Sequence, residues 1–209
     1  MSLKTELIYY SKLCYDKGFV AAYDGNISVR TRKNYILTTP ASVCKGRLTE
    51  KDLVKVDFNG RVISGKKKPS TELKLHKFIY ESRKDIKAVV HTHPKFSSAF
   101  AASGIALDKP VLPEIYLMLG KIPLAKYAAP STDEVPQSVS AYVKDFNAVL
   151  LANHGLVTYA KTLEEAYYLT EKAEQFAEIS FYARLLGGEK FLTKAQISKL
   201  NNLRTLNKK

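Results

Sequence analysis

Residues 54–64 read VKVDFNGRVIS, two strand-forming stretches around Asn59-Gly60. Asn-Gly in that setting predicts a type I′ turn, because both central residues of such a turn need positive φ. The first third of the chain is thereby committed to antiparallel pairing. Ile27 to Thr31 and Tyr35 to Thr39 add two short strands around the Lys33-Asn34 turn, and Pro40 ends the second. One helix comes before them. Leu3, Leu7, Tyr10 and Cys14 recur at 3–4 spacing within residues 2–17, and Gly18 stops the pattern.

The rest of the chain alternates helix and strand signals. Lys66 to Lys68 lie in a basic loop, after which Ser70-Thr71-Glu72 opens a helix to about Arg83, with Ser70 or Thr71 as N-cap. Ile86 to His93 reads as a strand stopped by Pro94, and Phe96 to Ser103 as a short helix ended by Gly104. Residues 110–130 mix turn signals with short apolar pieces. Ser131–Glu134 and Thr162–Glu165 both fit the capping box. The first leads a helix through Val135, Val139 and Val143. The second leads a long one through Ala166, Leu169, Ala173 and Phe176, ended by Gly187-Gly188. Between them, Ala148 to Ala152 is an apolar run of strand length, and Val157 to Tyr159 continues in strand. The tail after residue 190 reads as a further short helix or a mobile arm. Without a repeat or a linker, the expectation is one α/β domain over residues 1–209 around a mixed, largely antiparallel sheet.

Charge excludes less than it suggests. Thirty-three Lys+Arg against twenty Asp+Glu give +13 over 209 residues. Basic residues cluster at Lys66–Lys68 and in the acid-free tail from Lys190 to Lys209. There is no aromatic-interleaved basic stripe and no zinc-finger spacing, so the charge reads as solvated surface and no nucleic-acid partner is expected. Two cysteines, Cys14 and Cys44, are too few for a disulfide scaffold. No signal peptide and no apolar run of ~20 residues is present, so no membrane partner is expected and the location is expected to be cytoplasmic. Neither a P-loop nor G-x-G-x-x-G occurs, and nucleotide binding has no support.

The four histidines carry the chemistry. His91 and His93 are two apart on a predicted strand, so both rings leave one face and can chelate one ion. His154 ends the apolar run VLLAN, where strand termini present functional groups. Three imidazoles with a fourth position open is the donor set of a catalytic zinc. Glu72 lies in the first turn of its helix beside Ser70 and Thr71, where unpaired backbone N–H groups suit an anion such as phosphate. An acid in a first helical turn also has a plain role, complementing the helix dipole. His76, one turn after Glu72, reads as a supporting partner of the site or a surface pair rather than an extra ligand. The turns at Gly25-Asn26 and Thr38–Ser42 offer further small polar groups.

Five short motifs occur in order: GNIS at 25–28, TTPAS at 38–42, PSTE at 69–72, AVVHTH at 88–93 and NHG at 153–155. Over roughly residues 5 to 185 the chain resembles the class II aldolase/adducin family, and within it the L-fuculose-1-phosphate aldolase branch. The resemblance implies an α/β/α sandwich assembled as a homotetramer with active sites between subunits. It implies one Zn²⁺ per subunit, with His91, His93 and His154 as metal ligands and Glu72 as the catalytic base. It also implies that Gly25, Asn26, Ser42, Ser70 and Thr71 hold the phosphate of a small sugar-phosphate substrate. The implied reaction is cleavage of a (deoxy)ketose 1-phosphate to dihydroxyacetone phosphate and an aldehyde.

Two departures stand out. Ala41-Ser42 replaces the Thr-Gly pair of that branch. The tyrosines that handle the aldehyde oxygen have no clear match, which leaves Tyr116 in PEIYLMLGK as the candidate proton donor. Within the family, a methylthioribulose-1-phosphate dehydratase shares the three-histidine site. A ribulose-phosphate 4-epimerase usually has aspartate where Glu72 stands. A non-catalytic adducin-like module tends to lose the metal ligands, all three of which are kept here.

Overall fold

The computed structural model describes residues 1–206; Lys208 and Lys209 of the basic tail lie outside them. Eight strands form one sheet: β1 (Asn26–Arg30), β2 (Ile36–Thr38), β3 (Val54–Val56), β4 (Val62–Ser64), β5 (Ala88–Thr92), β6 (Leu124–Ala125), β7 (Ala148–Leu151) and β8 (Gly155–Ala160). Their order is β4-β3-β2-β1-β5-β8-β7-β6. All neighbours run antiparallel except β6 and β7. The sheet is therefore mixed and largely antiparallel, as expected.

The described residues form seven α-helices: α1 (Leu3–Asp16), α2 (Leu73–Ser82), α3 (Lys95–Ala102), α4 (Pro113–Met118), α5 (Glu134–Val139), α6 (Leu163–Leu185) and α7 (Lys194–Leu206), the last packing on α4. Period-two alternation divides the strand side chains between two cores. Val29, Ala88, Val90, Leu150 and Leu156 join Leu7 of α1 and Ala166 and Phe176 of α6 in one cluster. Val89, Val149, Val157 and Tyr159 join Leu75 and Ile79 of α2 and Val139 of α5 in the other. Helices thus cover both faces, which is the α/β/α arrangement. His91 and His93 fall in the register of Val89, on the α2 side.

Local chemistry explains most of the boundaries. Thr162 caps α6, its hydroxyl accepting from the Glu165 N–H at 3.1 Å. Pro113 at the first helical position opens α4, a helix that the mixed signals of 110–130 conceal. One turn reading and two cap readings are corrected. At the 54–64 hairpin only Gly60 has positive φ (+85°), so the turn is not type I′. The Gly60 N–H donates to the Asp57 carbonyl, and the Asp57 carboxylate accepts from the N–H groups of Asn59 and Arg61. The turn is thus closed by a left-handed glycine, with the aspartate ahead of Asn-Gly holding it.

Neither Ser70 nor Thr71 caps α2; Glu72 occupies the cap position with no side-chain cap bond. Ser131 does not cap α5 either. Its φ of +67° turns its hydroxyl to Thr71 Oγ1 at 2.6 Å, and Asp133 takes the cap position.

Candidate active site

Four segments meet at one end of the sheet. β5 delivers His91 and, one residue past its end, His93, whose N–H donates to the Phe19 carbonyl at 2.9 Å. The β7–β8 turn delivers His154; Asn153 takes φ +56° there, and the His154 N–H donates to Leu151 O. β1 begins with Asn26, paired with His91 across the ladder. The start of α2 supplies Glu72. The strand ends and the turn place these groups together although up to 128 residues separate them in the chain (154 minus 26).

The imidazoles converge through their Nε2 atoms. His91 Nε2 stands 3.1 Å from His93 Nε2 and 3.3 Å from His154 Nε2. His91 Nδ1 lies 3.0 Å from the Leu156 carbonyl. A carbonyl only accepts, so Nδ1 carries the hydrogen and Nε2 presents a lone pair to the centre. Burial, then the neighbouring imidazoles of His91 and His154, push His93 down to about 3, so its ring is neutral at pH 7, the form that ligates. Glu72 completes the cluster: Oε1 is 3.1 Å from His154 Nε2 and Oε2 is 3.4 Å from His91 Nε2. Burial opposes ionisation of Glu72, but His91 and His154 outweigh it and hold the carboxyl far below its usual range.

Three ring nitrogens on one divalent ion at ~2.0–2.1 Å in tetrahedral array stand ~3.3 Å apart. The observed 3.1 and 3.3 Å agree, and all three candidate ligand atoms lie within 4.8 Å of one another. His91, His93 and His154 therefore fit a metal ion, with the Glu72 carboxylate within reach of the same centre.

A cavity of about 420 Å³ opens in front of the histidines. Gly25, Asn26 and Ser42 line one side, and Ser70, Thr71 and Glu72 another, with His93 and His154 at its base. All five residues expected to hold phosphate thus face one space. Asn26 has a further engagement, its Nδ2 donating to Glu72 Oε2 at 2.8 Å. Gly25 is required twice over. Its φ is +66°, and a Cβ there would lie 2.5 Å from Val20 Cγ1 and 2.7 Å from the His91 carbonyl. Ser42 has φ +54°, a left-handed conformation that suits the glycine the related branch carries at this place.

Tyr116 is not in this cavity. It sits on α4, and its hydroxyl donates to Asn201 Oδ1 of α7 at 3.1 Å. His76 is fully buried, which corrects the surface-pair reading. Its Nδ1 is 2.7 Å from Ser28 Oγ, which also meets the Tyr80 hydroxyl at 2.8 Å. Burial, then the neighbouring imidazole of His91, push it down to about 3. Ser28 lies on the α2 face of β1, opposite Ile27 and Val29 of the other core. Several cavity residues escaped sequence reasoning, Asp24 and Ser131 among them. Asp24 stands 3.9 Å from His93 Nδ1 but reads as an ordinary turn residue. Ser131, bonded to Thr71, reads as a cap.

Comparison with known proteins agrees with this geometry. The family model described as Class II Aldolase and Adducin N-terminal domain matches residues 5–181. The chain is 38% identical over 177 residues to an L-fuculose phosphate aldolase of Methanococcus maripaludis, covering 85% of this chain and 95% of that protein. It is 30% identical over 207 residues to a 3-oxo-tetronate 4-phosphate decarboxylase of Escherichia coli, covering 96% of each. A solved L-fuculose 1-phosphate aldolase structure superposes with a TM-score of 0.88 at 29% identity, covering 95% of this chain and 93% of that one. The fold, the converging histidines and these matches place the chain in the class II aldolase and adducin family.

Proposed function

We propose that the chain is a zinc-dependent aldolase that cleaves a (deoxy)ketose 1-phosphate, such as L-fuculose 1-phosphate, to dihydroxyacetone phosphate and an aldehyde. The observation that carries this reading is the meeting of Glu72 with His91 and His154 at 3.1–3.4 Å on the floor of a polar cavity. His91, His93 and His154 would hold the metal, which supplies Lewis-acid stabilisation of negative charge developing on the substrate oxygens.

The chain's own groups account for the remaining steps. Backbone N–H groups at the start of α2, with the hydroxyls of Ser70, Thr71 and Ser42, bind the phosphate and orient the sugar from a part that does not react. In cleavage, the bond between C3 and C4 breaks, and the C4 hydroxyl proton passes through the Tyr116 oxygen to solvent as the aldehyde forms. Glu72, having taken up a proton from solvent, gives it to the electron pair left on C3, so no proton is gained or lost overall. In synthesis, the Glu72 carboxylate removes that proton from the carbon beside the carbonyl. A carboxylate kept ionised between His91 and His154 is ready to accept it.

Tyr116 is the proposed donor to the aldehyde oxygen. Because it lies outside the cavity of its own chain, it would serve a neighbouring subunit, in a cytoplasmic homotetramer with sites between subunits.

The match to the decarboxylase along 96% of both chains favours one second reading. Loss of CO₂ from a 3-oxo acid 4-phosphate also leaves an electron pair beside a carbonyl, and the same groups would stabilise it. A panel of 1-phosphoketoses and a 3-oxo acid 4-phosphate, assayed on metal-replete protein, separates the two. Release of dihydroxyacetone phosphate supports the aldolase, CO₂ the second reading, and dehydration the methylthioribulose-type alternative.

A further inference from the structure

The chain has 33 Lys and Arg residues. Among the described residues one of them, Lys45, is fully buried, with 1% of its surface exposed. Burying an ammonium without partners is costly, so such a lysine needs a reason to be there. Lys45 opens a short 3-10 turn, Lys45–Arg47, directly after the Ser42 segment. Its Nζ donates to the Tyr23 carbonyl at 2.8 Å and to the Val43 carbonyl at 3.0 Å.

Those two carbonyls belong to different loops. Tyr23 leads into Asp24-Gly25-Asn26, and Val43 follows Ser42. Both loops are held in left-handed backbone, at Ala22 (φ +44°) and Gly25 (φ +66°) on one side and Ser42 (φ +54°) on the other. Neither loop pairs with the other in the sheet, since β1 begins at Asn26 and β2 ends at Thr38. The lysine is itself held from behind. Gly46 packs so closely on Tyr15 of α1 that a Cβ would lie 2.5 Å from the ring. One ammonium therefore ties together the two strained turns that supply Gly25, Asn26 and Ser42 to the cavity wall, and it places a buried positive charge behind that wall.

We infer that Lys45 is a positioning residue of the anion-binding end of the cavity, holding the Tyr23–Asn26 and Ser42–Val43 turns at the separation a phosphate needs. This inference rests on the proposed phosphate-handling function of the cavity. Methionine at 45 would keep the volume and remove both the charge and the two donors. Arginine would keep the charge and the donors.

The test is calorimetric titration of inorganic phosphate into full-length, zinc-loaded wild type, K45M and K45R, with zinc per chain measured alongside. K45M is expected to bind phosphate at least ten-fold more weakly with its zinc content unchanged, and K45R to stay within about threefold of wild type. On a turned-over 1-phosphoketose, K45M is expected to raise KM while kcat holds. A merely structural defect would lower zinc content and kcat together.

Phosphate affinity in K45M within twofold of wild type overturns the inference. So does a ten-fold or greater loss in K45R with zinc retained; if K45M does not fold, K45Q, which also removes the charge, is measured in its place against the same twofold and ten-fold limits. Wild type that binds zinc but not phosphate overturns the inference together with the phosphate-cradle reading. Phosphate binding that depends on Lys45 in a protein without aldolase activity upholds the inference and overturns only the proposed reaction.

Discussion

Gly155 lies at the start of β8, paired with Leu151, one residue after a candidate metal ligand and against another. A Cβ built there would be 2.6 Å from His93 Cδ2 and 2.6 Å from the Thr92 carbonyl. Ordinary contact begins at 3.4 Å, so the shortfall is 3.4 − 2.6 = 0.8 Å. The Thr92 carbonyl belongs to β5 and cannot retreat independently. In Gly155→Ala, either the His93 ring swings away or β8 withdraws from β5. Withdrawal of β8 also moves the Leu156 carbonyl that orients His91.

Metal–ligand distances hold to about 0.2 Å, so a 0.8 Å displacement is several times what the site tolerates. Overpacking of this kind costs about 1–3 kcal/mol of stability. Disturbing a group that orients a ligand lowers metal affinity about 10–100-fold. Competition for zinc against a chromophoric chelator, with thermal unfolding of metal-free protein in parallel, reads both quantities. Gly155→Ala that binds zinc as tightly as wild type would refute the placement of His93 and His91 in one metal site, whatever happens to stability.

Other outcomes follow from single contacts. The half-buried end of α3 is closed by Glu174, whose Oε1 and Oε2 each accept at 2.8 Å from the N–H groups of Phe96 and Ser97. Glu174→Ala should cost about 1.5–3 kcal/mol in urea unfolding, and an unchanged midpoint would contradict that bond pair. Acid should destabilise the metal-free protein. His76 is pushed from 6.5 down to about 3, so between those values the unfolded chain binds more protons and stability falls as pH drops. Glu72, held below its ordinary 4.5, adds a loss from that value downward. Each proton contributes at most about 1.4 kcal/mol per pH unit, and equal urea midpoints at pH 7 and pH 4 would count against both assignments. Tyr116→Phe removes an exposed bond to Asn201 and should change stability by no more than about 0.5 kcal/mol. If Tyr116 protonates the aldehyde oxygen in a neighbouring subunit, the same variant should lower kcat about 100-fold or more, and an unchanged kcat assigns that role elsewhere.

Much of the architecture was legible because it rests on periodicity. The alternation in Ala88–Thr92 separates two cores and puts His91 and His93 on the α2 side. Thr162 caps α6 as its sequence predicts, its hydroxyl accepting from the Glu165 N–H. The features that were not legible are those where a long-range contact wins over a local one. Ser131 sits where local rules read a cap, and Glu72 where they read a first-turn acid, its place beside the histidines being expected only from the family resemblance. Glu72 instead meets two histidines from other segments, and Ser131 instead meets Thr71. His76 keeps the helical spacing that suggested a surface pair, but the sheet brings Ser28 beneath it and buries the ring. Asn59-Gly60 forms a different turn because Asp57 Oδ1 accepts from two backbone N–H groups, those of Asn59 and Arg61, which the dipeptide alone does not reveal. Lys45 carried no signal at all, since nothing in a single lysine shows that two carbonyls 2 and 22 residues away will converge on it.

The central claim is that three histidines hold a metal while Glu72 moves a proton. Glu72→Gln keeps the size of the side chain and removes its basicity. Zinc per chain and dihydroxyacetone phosphate release from a 1-phosphoketose, measured together on wild type and Glu72→Gln, address that claim most directly. The expected result is about one zinc per chain in both proteins and release reduced about 100- to 10,000-fold in the variant. Undiminished release by Glu72→Gln, or wild type that takes up no stoichiometric divalent metal, would contradict it.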